Sequence, residues 1–142
     1  MKLSEFDKIT YEVNRGVALV TLNNPARRNA WGGRMSVEYR WALYHAHTDD
    51  SVRVVVVTGI GDDFCVGADT SELSTIESAG GAYQKAQLEL PPYPETAPEA
   101  FRRNHAYPWC IHKPVIAAVN GRCAGVGFIV ASYADLRFGT RN

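Results

Sequence analysis

Residues 113–135, KPVIAAVNGRCAGVGFIVASYAD, constrain the fold more than any other stretch of this chain. Residues 114–119 (PVIAAV) are an apolar, partly β-branched run of strand length. Asn120-Gly121 stops that run, because the dipeptide favours the positive backbone angles of a tight turn. Gly125 and Gly127 flank Val126 directly before a second apolar run, residues 128–133. A chain passing from a strand into a helix start leaves several backbone N–H groups without intrahelical partners. With the positive end of the helix dipole behind them, those donors suit an anion or a carbonyl oxygen gaining negative charge. Alone, the pattern fits any strand-to-helix turn.

A matching element upstream gives it weight. In residues 54–69 (VVVVTGIGDDFCVGAD), positions 54–58 read as another buried strand and positions 59–63 as a turn cluster. Phe64-Cys65-Val66 is a short apolar run, and Gly67-Ala68-Asp69 breaks it before a helical-looking stretch over 70–76. The chain thus makes two strand–glycine–helix units. Brought side by side, their turns would aim two backbone amides at one oxygen, an oxyanion hole in which each donor is worth a few kcal/mol of transition-state stabilisation.

Three blocks, NNPARRNAW (23–31), DDFCVGADTSEL (62–73) and KPVIAAVNGRCAGVGFIVASYADLRF (113–138), resemble the signature blocks of the crotonase superfamily, the enoyl-CoA hydratase/isomerase family. They stand in the family's order, and the resemblance extends over nearly the whole chain. It implies an α/β fold, a crotonase-like spiral of repeated ββα units, with residues 1–142 as the N-terminal part of the domain, incomplete at the C-terminus. It also implies chemistry on acyl-CoA thioesters through a stabilised enolate. By motif position the two N–H donors fall on Ala68 and Val126. Many members have glycine at the second position, whereas the valine here sets its branched side chain beside the substrate. Residues Ala68, Asp69, Thr70 and Ser71 are where the family also contacts CoA. No cofactor is implied beyond coenzyme A as part of the substrate, and a homotrimer or hexamer is the expected assembly of the full-length protein.

One departure bears on mechanism. In the hydratases of this family a catalytic glutamate follows the glycine turn by two residues, and that position here is Ile129. Proton transfer needs a titratable group within hydrogen-bond reach, and Phe128-Ile129 offers none. The family's second glutamate lies beyond position 142. The missing first carboxylate favours a one-carboxylate reaction, such as double-bond isomerisation, or a distinct lyase or hydrolase reaction, over two-glutamate hydration. A non-catalytic CoA-binding or assembly module, or an inactive fragment, is the alternative. A nucleotide-binding α/β domain ranks lowest, because neither glycine pair continues into a dinucleotide fingerprint and no Walker lysine follows.

Composition excludes other classes. Basic and acidic residues balance at 15 each, so there is no charge footprint for nucleic acid or membrane. A chain of 142 residues forms one domain and buries roughly two-thirds of its unfolded surface, yet half a spiral would leave apolar faces uncovered. Cys65, Cys110 and Cys123 lack paired spacing and read as reduced core residues. The N-terminus MKLSEFDKITYEV carries no signal-peptide core, and the run 123–134 is too short to cross a bilayer, so a cytoplasmic location is expected.

The remaining organisation is coarse. Residues 9–13 and 17–22 alternate as strands around Asn14-Arg15-Gly16, a hairpin, and residues 34–47 form a helix ended by Thr48-Asp49-Asp50. Residues 74–98 carry two glycines and four prolines. In the resembled family this stretch lines the acyl pocket, and a helix over 99–109 is expected to follow. Arg27 and Arg28 could meet CoA phosphates, Arg28 being the candidate carried forward, or could be solvated turn charges. Asp69 could hold its loop or act as a helix N-cap before Thr70. His45 and His47 fall on different helix faces, Cys110 and His112 are a weak pair, and no metal site is expected. His105 and His112 read as structural histidines, Lys113-Pro114 as a strand start, and Asp135 as a helix-capping or turn residue.

Overall fold

The computed structural model describes residues 1–71, 95–102 and 110–141. Its first element is a hairpin of β1 (Ile9–Asn14) and β2 (Val17–Leu22), antiparallel, with Asn14 opposite Val17. Arg15 and Gly16 form the loop with φ of 49° and 83°, the positive pair a two-residue hairpin turn requires. Alternation in β2 buries Ala18, Val20 and Leu22 completely, as a half-covered strand demands.

Helix α1 (Gly33–Thr48) follows and contributes Met35, Tyr39, Leu43 and Ala46 to the same core as β2. Each large side chain buried this way is worth about 1.5–3 kcal/mol. Its one fully buried charge is Glu38. The Glu38 carboxylate accepts from the backbone N–H groups of Asp7, Lys8 and Ile9 at 3.0, 2.7 and 2.9 Å, and from Arg34. A buried carboxylate is tolerated only when so satisfied, and this one staples the start of β1 to α1. At the other end the Lys113 ammonium donates to the carbonyls of Ala46 and Asp49 at 2.6 and 2.5 Å. Lys113 therefore caps the negative end of α1, a role beyond starting the next strand.

β3 (Val54–Gly59), β5 (Val115–Val119) and β7 (Leu136–Gly139) complete one sheet in the order β1-β2-β3-β5-β7. All pairs after the first are parallel, with Val20 beside Val57 and Val57 beside Ala117. A second, two-stranded parallel sheet joins β4 (Asp63–Cys65) to β6 (Arg122–Cys123). The repeating unit is ββα: β1-β2-α1, then β3-β4 with a helical turn entered at Thr70 and Ser71, then β5-β6 and α2 (Val126–Ser132).

Several local expectations change. Gly121 is absent from the positive-φ residues; its glycine is set by proximity, since a Cβ there would lie 1.9 Å from the Asp62 carbonyl oxygen. Asn120 acts through its side chain, donating to the Gly59 and Gly61 carbonyls at 2.9 and 2.7 Å. Asp135 caps no helix. Its carboxylate accepts from Val115 N–H at 2.7 Å, and its own N–H donates to Val115 O, fastening β7 beside β5. Of the helix expected over 99–109, a short 3-10 turn, Glu99–Arg102, is present; residues 103–109, with His105 and Trp109, lie outside the described residues, as do 74–94 of the acyl-pocket segment.

Among the described residues nothing covers the far edge of the sheet. Leu136 and Phe138 of β7 and Phe128 of α2 keep 52, 62 and 65 % of their surface exposed, the uncovered apolar face expected of half a spiral. Among the described residues no helix is long and apolar enough to cross a membrane.

Candidate active site

The two glycine turns meet. Gly67 has φ of +112° and Gly125 of +51°, conformations open to glycine and costly for other residues. A Cβ on Gly125 would lie 3.3 Å from the Gly67 Cα, so Ala68 and Val126, the next residue of each turn, are neighbours. The pairing of β4 with β6 brings this about. Cys65 stands beside Cys123, and Ala124 N–H donates to Cys65 O at 3.0 Å. Across the preceding rung the Arg122 guanidinium grips the Asp63 carboxylate, one of its two contacts at 3.0 Å.

Ala68 is held from behind by Trp31, with which it forms an isolated parallel bridge. Trp31 N–H donates to Gly67 O at 2.7 Å, and Asp69 N–H donates to Trp31 O at 3.0 Å. Successive peptide groups in such a bridge point to opposite sides, so the Ala68 N–H is directed away from Trp31. The Trp31 ring packs edge-on against Tyr39 of α1, centroids 5.4 Å apart, which ties the loop to the core. On the other turn, Gly127 admits the start of α2 to β4: a Cβ there would lie 2.4 Å from Cys65 O. Among the described residues neither the Ala68 nor the Val126 N–H donates to an acceptor.

Asp69, buried, accepts on Oδ1 from Ser71 N–H at 3.0 Å, Ser71 Oγ at 2.6 Å and Arg27 Nη2 at 2.7 Å. It is the N-cap of the helical turn at Thr70 and a loop clamp together. Burial acts to raise its pKa, but the two Ser71 bonds and the Arg27 guanidinium outweigh it and hold the carboxyl below its ordinary range. Arg28, left-handed at φ 52°, is exposed, as are Thr70 and Ser71. A cavity of about 210 Å³ opens here, lined by Lys8, Asn24, Arg27, Arg34, Asp69 and Ser71. A larger hollow of about 460 Å³, bounded by Asp62, Asn120, Arg122 and Thr140, includes neither donor residue.

The exposed first turn of α2 is apolar. Phe128 and Ile129 are 65 and 38 % exposed, and no residue of the helix titrates. Burial pushes the Cys65 and Cys123 thiols up, which suits inert core cysteines; none of the three cysteines forms a disulfide. His47 is held low by burial, then by His112 and Lys113, its ring 5.5 Å from that of His112. His45 lies instead against Phe6, Tyr11 and Trp41. Among the described residues no three His, Cys, Asp or Glu gather at one point.

Sequence reasoning missed how Trp31 and Asn29 contribute. Asn29 is buried at φ 56° and donates to Ile60 O and Asp63 O at 2.9 and 2.7 Å, locking the first motif block onto the second. The available signal was an asparagine among turn residues, the type that tolerates left-handed backbone and bonds nearby carbonyls.

Parallel strands feeding glycine turns into helix starts define an α/β fold of the crotonase type. The sequence model of the enoyl-CoA hydratase/isomerase family matches residues 12–142, and the chain belongs to that family. It is 37% identical over 135 residues to a probable enoyl-CoA hydratase of Mycobacterium tuberculosis, covering 95% of this chain and 48% of that protein. It is 36% identical over 120 residues to the 2,3-dehydroadipyl-CoA hydratase of Escherichia coli, covering 84% of this chain and 41% of the relative. Among solved structures, an enoyl-CoA hydratase/isomerase from Mycobacterium paratuberculosis superposes with a TM-score of 0.68 at 35% identity, over 95% of this chain and 46% of the other. The chain thus spans about half the length of the curated relatives it matches.

Proposed function

We propose that this chain carries the thioester-polarising half of an acyl-CoA enzyme, with the Ala68 and Val126 amides as the oxyanion hole. The observation that supports this is the contact of the Gly67 and Gly125 turns, which makes neighbours of two residues whose N–H groups donate to nothing among the described residues. Two preorganised donors stabilise charge as a thioester carbonyl becomes an enolate oxygen. Arg28 and the segment from Ala68 through Asp69 and Thr70 to Ser71 receive the CoA portion. The cavity at Asp69 and Ser71 has Lys8, Arg27 and Arg34 in its lining, each paired with a carboxylate, and guanidinium geometry suits phosphate. Coenzyme A enters as part of the substrate, the full-length protein assembles as a trimer or hexamer, and the location is cytoplasmic.

The apolar first turn of α2 supplies no acid or base, so chemistry needs a carboxylate from elsewhere, and a one-carboxylate reaction such as double-bond isomerisation fits better than two-glutamate hydration. Ala68→Pro removes one donor. It is expected to abolish turnover of 2- and 3-enoyl-CoA substrates by the full-length protein; intact turnover would remove Ala68 from the mechanism.

The same lack of a titratable group on α2 favours a second reading, a CoA-binding or assembly module without catalysis. It predicts acyl-CoA binding with no product, and hydration or isomerisation by the chain alone would exclude it.

A further inference from the structure

We infer that Arg27 is a positioning residue for the Ala68 amide, acting through Asp69. The inference rests on the assignment of Ala68 as a thioester donor. The loop around Ala68 has little rigidity of its own, because Gly67 precedes it at φ +112° and glycine resists fixation more than any other residue. Its orientation is imposed from outside. The Trp31 bridge fixes the backbone on both sides of Ala68. The Asp69 side chain then decides how the chain leaves the bridge, since the oxygen that caps Ser71 N–H also takes the Arg27 guanidinium.

Arg27 is a firm base for that contact. It ends the 3-10 turn Pro25–Arg27 and donates its own N–H to Asn24 O at 3.0 Å, while its carbonyl accepts from Ala30 N–H at 3.0 Å. The turn is in turn anchored by Asn29 to the carbonyls of Ile60 and Asp63. The guanidinium therefore reaches Asp69 from a clamped backbone. Its side chain is 45% exposed against 9% for Asp69, and an ion pair so open to solvent adds little stability. What it adds is direction: beside the two local bonds from Ser71, it is a donor from a distant part of the chain that ties the Asp69 oxygen to the first motif block. Lys8 and Arg34 line the same cavity, but neither bonds Asp69; they pair with Asp7 and Glu38.

The test is a double-mutant cycle read at single amides in the ¹⁵N-labelled chain without ligand. Arg27→Gln and Asp69→Asn are each expected to displace the Ala68 and Ser71 cross-peaks while α1 peaks stay in place. In the Asp69→Asn background Arg27→Gln is expected to add little, because Arg27 acts on the loop through Asp69. Arg28→Gln, whose side chain bonds neither Asp69 nor Ser71 among the described residues, is expected to leave Ala68 unmoved. In an acid titration the Ala68 peak should follow a midpoint below that of a free aspartate, and Arg27→Gln should raise it through the loss of a neighbouring opposite charge. Additive displacements, an unmoved Ala68 peak in Arg27→Gln, or an equal response to Arg28→Gln would overturn the inference. Addition of an acyl-CoA is a separate measurement. If it leaves the Ala68 and Val126 peaks unmoved, the donor assignment falls while the Arg27–Asp69 link stands.

Discussion

Gly127→Ala puts the seating of α2 on β4 to a quantitative test. The new methyl would lie 2.4 Å from the Cys65 carbonyl oxygen, 2.7 Å from its Cβ and 3.1 Å from its carbonyl carbon. Favourable carbon contacts begin near 3.5 Å, so the helix start must retreat by about 1 Å. The obstacle is backbone held by the Ala124 N–H bond to Cys65 O, and it cannot swing aside as a long side chain would. Overpacking of this kind costs about 1–3 kcal/mol. Alanine returns at most about 1 kcal/mol through helix propensity, leaving a net loss of up to about 2 kcal/mol even with that full return. Urea unfolding followed by tryptophan fluorescence should show a midpoint lower by up to roughly 1 M, for a slope of about 2 kcal/mol per M. Gly139→Ala is the control, because a Cβ there meets nothing within 4 Å; it should be neutral or slightly stabilising. A Gly127→Ala protein as stable as the parent, with α2 amides unshifted, would refute the close seating and the placement of Val126 with it.

Glu38→Gln keeps the shape but turns a fully satisfied acceptor into a partial donor facing three N–H groups; a loss of about 2–4 kcal/mol in the same unfolding assay is expected, and a loss under 0.5 would remove Glu38 as the staple of β1. Lys113→Met removes the cap on the Ala46 and Asp49 carbonyls and should cost about 1 kcal/mol, with faster amide exchange confined to the last turn of α1. Burial, then Asp49, pushes the Tyr11 hydroxyl up to about 12. The folded state then holds its proton where the unfolded state releases it, so stability should be level below pH 10 and fall between pH 10 and 12; Tyr11→Phe should flatten that limb, and an unchanged limb would assign it to another group.

The framework was legible because each strand announces itself locally. Alternation in β2 and the valine run of β3 define their faces, and Arg15-Gly16 sets the hairpin. The family followed from three blocks in order, and Asp69 as a cap followed from its place before Thr70. What escaped reading depends on distant partners. Nothing near Gly121 in the chain reveals the Asp62 carbonyl that forbids a side chain there, so turn propensity gave the wrong reason for a correct glycine. Lys113 looked like a strand start because the helix end it caps lies far back in the sequence. Likewise Arg27 and Arg28 are indistinguishable as text, while the fold gives one of them a carboxylate and turns the other out to solvent.

The short pairing of β4 with β6 has a consequence for how such a protein can change over time. Two rungs of parallel strand, closed by Asp63 and Arg122, hold the Gly67 and Gly125 turns in register. That register depends on a charge on each strand, so a change at Asp63 or Arg122 alone would loosen it. Insertions and deletions are therefore tolerated least between Asp63 and Gly67 and between Arg122 and Gly125, where they would slide one turn past the other.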